Sequence, residues 1–352
     1  MPQTDLTGKS PTMENSDDST RKSDHINLAI KSQTNIKEAD SRFYYEPMIS
    51  GFPSDSIETT PFGGKDMKVP IWVSSMTGGH LRSGTINRNL AMACKEFGMG
   101  MGLGSCRMLL SEDTYFNDFN IRSIIGDENP LFANLGIAQI EELIETNQTD
   151  KIRRLIDRLQ ADGLIVHVNP LQEWVQPEGN KIRNAPIDTI QKLLEKIDFQ
   201  LIIKEVGQGF GPQSIRKLLQ LPLTAIEFGA FGGTNFSKVE IQRNSTERQE
   251  QLQPFVNVGV TAEEMVDIIN EMVKNGDKFK CNQLIISGGI QNYLDGYFLI
   301  QKSIVPAIYA QASAFLQHSH GDYAELQQFV AAQIEGYRMA LKFLTLKNPK
   351  RS

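Results

Sequence analysis

Residues 162 to 179 read DGLIVHVNPLQEWVQPEG. Leu164, Ile165, Val166 and Val168 form a short apolar run rich in β-branched side chains, which predicts a strand. Pro170 closes it, and His167, Asn169, Gln172 and Glu173 crowd its exit. In parallel α/β proteins, ligands bind at the carboxyl ends of strands. A rigid element here therefore presents four polar groups where a site is expected. Singly, each has a plainer explanation: a satisfied core histidine, or the opening of a solvated loop. Four together, with two prolines, favour a site.

Outward from this stretch the chain repeats the same pattern. Apolar runs at 69–76, 98–105, 130–136, 200–206, 223–230, 282–289 and 307–313 predict seven more strands. Between them, helical spacing predicts helices over 81–97, 137–159, 186–197, 211–219, 291–302 and 323–346. Thr261 and Glu264 form a capping box that starts another. Strands alternating with helices in a chain of this length predict an α/β fold, a (β/α)8 TIM barrel. A doubly wound open sheet is the alternative, but no GxGxxG follows the first strand. Residues 1–20 predict a disordered tail, 21–68 an arm and irregular lead-in, 69–346 the barrel and 347–352 a C-terminal tail. After the sixth strand, residues 231–260 are rich in Gly, Asn, Ser, Thr, Glu and Gln. That length exceeds an ordinary connection and predicts a lid or binding loop.

Composition sets limits. The 352 residues carry a net charge of -6 and are 40% hydrophobic. A barrel-sized core is affordable, and an acidic chain without a dense basic cluster does not predict nucleic acid as partner. No apolar run reaches the roughly 20 residues that span a bilayer, and the N-terminus lacks a signal-peptide core. The three isolated cysteines, Cys94, Cys106 and Cys281, form no CxxC and no disulfide framework, which predicts a reducing cytoplasm.

The ends of the strands carry the chemistry. They read SSMTGG at 74–79, GSCR at 104–107, ANLG at 133–136, KEVG at 204–207, GGTN at 232–235 and SGGI at 287–290. On a barrel all of these fall on one rim. A glycine pair after a strand is usually a turn, but recurrence after nearly every strand is hard to explain as packing. Gly288 and Gly289 before a helix predict a phosphate-binding turn, with a similar turn at Ala310 and Gln311. Lys204 would face negative charge on a reduced isoalloxazine.

These motifs, with RKSDH at 21–25, HVNPLQEWVQPEG at 167–179 and GGTNFSKVE at 232–240, resemble those of the type 2, FMN-dependent isopentenyl-diphosphate isomerases. The resemblance runs from residue 21 to about residue 313. It implies that FMN is held by Ser75, Met76, Thr77, Ser105, Asn134, Lys204, Thr234, Gly288, Gly289, Ile290, Ala310 and Gln311. It implies a substrate diphosphate gripped by Arg21, Lys22, His25, Ser105, Arg107, His167 and Asn169. Gln172 would lie over the reacting carbons, with His167 the other catalytic candidate, and Glu173 would bind Mg²⁺ bridging to the diphosphate. One or two carboxylates with phosphate oxygens and waters suffice for Mg²⁺. Cys106 and Gln291 stand where the family more often has Gln and Arg, and KSIVPAIYAQ at 302–311 lacks the usual Leu-Gly-Ala turn.

The reaction implied is isopentenyl diphosphate to dimethylallyl diphosphate, with reduced FMN moving the proton, NAD(P)H as reductant and no net redox change. A homotetramer or larger assembly is implied as well. The rival enzyme is an FMN-dependent 2-hydroxy-acid oxidase or dehydrogenase, for which His167 and Arg107 are the obvious residues and Glu173 is idle. A non-catalytic barrel binding a phosphorylated metabolite is the third reading.

Overall fold

The computed structural model of the chain describes residues 25, 28–53, 57–75, 77–79 and 82–347. The chain falls into two units, Met1–Phe43 and Tyr44–Ser352. In the first, His25 and residues 28–31 are helical, and Asn35 and Glu38 form a capping box around a single turn, Ile36–Glu38. The tail predicted at 1–20, and Arg21, Lys22 and Met76, lie outside the described residues.

The second unit holds eight parallel strands closed into a barrel. They are β1 (Ile71–Val73), β2 (Gly100–Gly102), β3 (Leu131–Gly136), β4 (Gly163–His167), β5 (Gln200–Lys204), β6 (Ala225–Glu227), β7 (Leu284–Ser287) and β8 (Ala307–Gln311). Each of the eight predicted runs holds one of them. The barrel closes where β8 pairs with β1, Tyr309 opposite Ile71.

Strand alternation then places every inward side chain. Trp72, Phe132, Ile165, Ile202, Ala225, Ile285 and Ile308 form one buried apolar cluster. Two residues further along each of seven strands come Ser74, Asn134, His167, Lys204, Glu227, Ser287 and Ala310. The barrel is thus a packed apolar layer with a largely polar layer above it, at the carboxyl ends.

The other end is sealed by a feature that the sequence reading left as irregular lead-in. Thr60–Phe62 and Lys65–Met67 form an antiparallel hairpin. Its Phe62 and Met67 join the apolar cluster, and the Phe62 ring lies 5.3 Å from Trp72. Gln200 donates to Gly63 O at 3.0 Å and Gln283 to Pro61 O at 2.9 Å, so the amino ends of β5 and β7 hold the plug. Lys65 pairs with Asp162 at 2.6 Å, and the buried Arg122 pairs with the same carboxylate at 2.9 Å.

Helices surround the barrel: α1 (Ser83–Phe97), α2 (Ile137–Glu145), α3 (Asp150–Leu159), α4 (Pro170–Val175), α5 (Pro186–Leu194), α6 (Pro212–Leu219), α7 (Phe236–Gln242), α8 (Thr246–Val256), α9 (Ala262–Lys274), α10 (Tyr293–Lys302), α11 (Ser313–Ser319) and α12 (Tyr323–Phe343). The helix predicted over 137–159 is two helices, broken at 146–149. The last helix ends at Phe343, and Leu344–Leu346 is extended.

The long connection after β6 is present, and it is folded into α7 and α8. Asn235 and Ser245 cap these helices by accepting from the N–H groups of Lys238 and Arg248. Ile241, Leu252 and Val256 bury themselves against Val175 of α4, with Leu171 beside them. Few apolar residues do this packing, which is why the polar composition reads as a loop.

Candidate active site

The carboxyl rim is built from β4 outward. Its last residue, His167, stands beside Lys204 of β5, and Lys204 beside Glu227 of β6, in direct register. Neighbours in register point the same way, so these three side chains share the polar layer.

His167 Nδ1 lies 2.8 Å from Asn134 Oδ1. The Asn134 amide nitrogen donates to Leu103 O at 3.0 Å, so Oδ1 is the acceptor and Nδ1 carries the proton. The other ring nitrogen, Nε2, is thereby left as a proton acceptor. Burial, and then the charges of Lys204 and Arg107, push the His167 pKa down to about 4. The imidazole is neutral at ordinary pH.

Beyond His167 the strand ends rather than continuing to Asn169, as the sequence reading assumed. Asn169 (φ −135°, ψ 47°) precedes α4, which opens on Pro170. Proline is suited to this first helical position because its missing N–H is not needed. Asn169 is buried and does not line the His167 cleft. Its amide donates to Gln172 Oε1 at 3.1 Å and Glu173 Oε1 at 3.2 Å, and its own Oδ1 has no partner. Glu173 Oε2 accepts from the Asn180 N–H at 2.6 Å. Both carboxylate oxygens of Glu173 are therefore oriented; the Asn180 side-chain amide also donates to Oε2 at 3.4 Å, and Oε1 keeps a lone pair to spare for a cation.

Two clefts open on this rim. One is lined by Ser75, Lys204, Thr234, Gly288, Gly289, Ile290, Ala310 and Gln311 among others, and encloses a cavity of about 240 Å³. The second is lined by Ser75, Gly104, Ser105, Asn134, His167, Gln172, Lys204, Val206 and Phe236. Ser75, Lys204, Val206 and Phe236 belong to both, so the clefts adjoin. Thr77 lies in a third hollow beside Ser75 and Phe236, 3.2 Å from the Ser83 hydroxyl.

The first cleft suits a phosphorylated planar group. Buried Ser75 Oγ and Gln311 Oε1 have no protein partner. Among the described residues no protein group accepts from the backbone N–H groups of Gly232, Gly233, Gly289 or Ile290. Gly288 has φ +93°, and a Cβ there would stand 2.1 Å from Ala230 O. Only glycine keeps this turn, which brings the loops after β6 and β7 together. Unpaired N–H groups before α10 make an anion cradle.

The remaining expected residues are more scattered. Arg107 is exposed on the turn after Cys106, where its charge reaches His167. Cys106 itself is buried, and burial raises its thiol to about 12, so it is an inert packing residue. Cys94 and Cys281 are also buried. His25 is exposed and belongs to the first unit.

The sequence reading missed Glu227, Phe236 and Asn180. A lone Glu in the apolar run LTAIEFGA was the available signal for the first. The other two depend on how α4 and α7 fold back, which no local pattern announces. Among the described residues no group of three or more His, Cys, Asp or Glu side chains gathers as a metal cage, and no helix is long and apolar enough to cross a membrane.

Comparison with known proteins bears on the family and the fold. No protein-family model matches the chain. It is 35% identical over 281 residues to the isopentenyl-diphosphate delta-isomerase of Rickettsia prowazekii, covering 78% of this chain and 79% of that one. It is 31% identical over 326 residues to the enzyme of that name from Rickettsia felis, covering 91% of each. Among solved structures it resembles a flavocytochrome b2 with pyruvate bound, with a TM-score of 0.59, 12% identity and coverage of 85% of this chain and 70% of that one. It also resembles a mandelate oxidase with a monooxide FMN adduct, with a TM-score of 0.53, 10% identity and coverage of 87% and 88%. At such identities the structural likeness establishes the barrel alone, and the sequence relatives carry the assignment. This chain belongs to the isopentenyl-diphosphate delta-isomerase family, in its type 2, barrel form.

Proposed function

We propose that the protein isomerises isopentenyl diphosphate to dimethylallyl diphosphate, with FMN in the first cleft and the substrate in the second. The observation that carries this reading is the junction of the clefts at Ser75 and Lys204. It sets an anion cradle on one side and His167 with Gln172 on the other.

An unactivated alkene is a very weak base, poorly matched to an ordinary side-chain acid. When bound and reduced, FMN supplies a ring nitrogen that can move a proton to such a carbon. The chain's own residues do the rest. Ser75, Lys204, Gln311 and the backbone of 232–233 and 288–290 hold the planar group and its phosphate, with Asn134, Thr234 and Ala310 beside them. Ser105, Arg107 and His167 grip the diphosphate, and Arg21, Lys22 and His25 are assigned to the same task by the resemblance. A diphosphate beside His167 opposes the two cations that depress it, raises its pKa and lets Nε2 take a proton and donate to phosphate. Gln172, steadied by Asn169, lies over the reacting carbons and positions them. Glu173 offers its oriented carboxylate to Mg²⁺, with phosphate oxygens and water completing the shell.

The reading extends to reduction by NAD(P)H and to a cytoplasmic homo-oligomer, a tetramer or larger. The test is purified protein with FMN, Mg²⁺ and a reductant under anaerobic conditions, given labelled isopentenyl diphosphate. Labelled dimethylallyl diphosphate is the expected product. A yellow, flavin-loaded protein that leaves the label unmoved, or is bleached by lactate instead, would overturn the assignment.

A further inference from the structure

Glu227 is the one acid in the inward polar layer, and none of the roles above uses it. It is fully buried at the end of β6 and lines neither cleft. The hydroxyl of Ser74, just past the end of β1 across the barrel interior, donates to its Oε1. Lys204 Nζ stands 3.5 Å from the same oxygen, and Oε2 has no partner at all. Burying a carboxylate above an apolar layer is costly unless it is paired. Its only cationic neighbour among the described ion pairs is Lys204.

The ammonium of Lys204 has three N–H donors. One goes to Glu205 O at 2.9 Å, and the pair with Glu227 directs a second inward. The third remains for the clefts that Lys204 lines.

We propose that Glu227 is a positioning residue that acts through Lys204. It holds and aims the ammonium, and reduces the positive field that Lys204 presents to a flavin. Ser74 fixes the carboxylate in place from the opposite wall. This rests on the cofactor reading above only for its flavin consequence; the Lys204–Glu227 coupling holds in the empty protein.

Two measurements test it, one of them independent of FMN. In the cofactor-free protein, Lys204 is labelled with acetic anhydride near pH 7 and quantified by peptide mass spectrometry. Glu227→Gln is expected to raise its labelling several-fold, and Glu227→Asp to restore it most of the way. Surface lysines in the same digest serve as the internal standard. Equal labelling in all three proteins overturns the proposal.

In the FMN-loaded protein, Glu227→Gln is expected to shift the flavin midpoint potential, and the shift should vanish in a Lys204→Met background. The same shift in both backgrounds means that Glu227 acts structurally, and also overturns the proposal. Should Glu227→Gln not fold, Ser74→Ala leaves both charges in place and is expected to give a smaller labelling increase than removal of the carboxylate. No increase at all would count against the network. A protein that shows the labelling effect but takes up no FMN leaves this inference standing and removes the cofactor reading instead.

Discussion

The two ends of β4 lie five residues apart and differ in kind. At the amino end, Asp162 has its carboxylate fully engaged: Lys65 on one oxygen, Arg122 and the Leu131 N–H on the other. Arg122 adds bonds to the carbonyls of Gly126, Asn129 and Gln160. At the carboxyl end, His167 leaves Nε2 open and Asn169 leaves Oδ1 unpaired. One end is a closed network under an aromatic plug, and the other is a set of groups waiting for partners. The bottom of the barrel carries stability, and the top gives some up to keep polar atoms available for ligands.

That division can be broken from either side. Phe62→Ala removes the plug's largest ring from a packed layer. It should destabilise the protein by about 4 kcal/mol, read as a lower urea midpoint, while the FMN affinity of the folded fraction stays unchanged. A parallel loss of FMN affinity would show that the ends are not independent.

His167 probes the division through pH. Its folded pKa of about 4 lies below its ordinary 6.5. Between those values the unfolded chain binds a proton that the folded protein refuses. Stability therefore falls as pH drops from 6.5 towards 4, by at most about 3 kcal/mol, and is fully present above 6.5. Comparing denaturation of the ligand-free protein with that of His167→Gln isolates this contribution. The difference should change across that window, and a flat difference would place His167 among ordinary histidines.

The smallest effect is expected at Glu173. Glu173→Gln keeps the shape but loses the charge, and should raise the Mg²⁺ concentration needed for half-maximal turnover about tenfold, roughly 1.4 kcal/mol. Its urea midpoint should stay close to that of the parent. An unchanged Mg²⁺ requirement would remove Glu173 from the metal site.

The barrel was legible because each strand announces itself twice, by an apolar run and by a polar exit. The run at 164–168 followed by Asn169 and Gln172 is enough to place both the strand and the rim. The hairpin at 60–67 was not legible, because strands of three residues around Pro61 and Gly63 are shorter than any period that can be counted. Helices α7 and α8 were missed for the opposite reason. Their caps at Asn235 and Ser245 are readable, but few apolar residues mark the buried face. At the site, motif residues such as Ser75 and Gly288 were found by what precedes them. Glu227 was hidden by an apolar setting in which a charge has meaning only once Lys204 and Ser74 are seen beside it.

The hairpin plug also governs traffic. Among the described residues, Phe62, Met67 and Trp72 fill the barrel from below, and the clefts beside the polar layer open at the carboxyl rim. On the proposed reading, cofactor and substrate share that doorway, and the clefts meet at Lys204. On that reading, both ligands would enter from the rim, opposite a two-stranded stopper at the far end of the barrel.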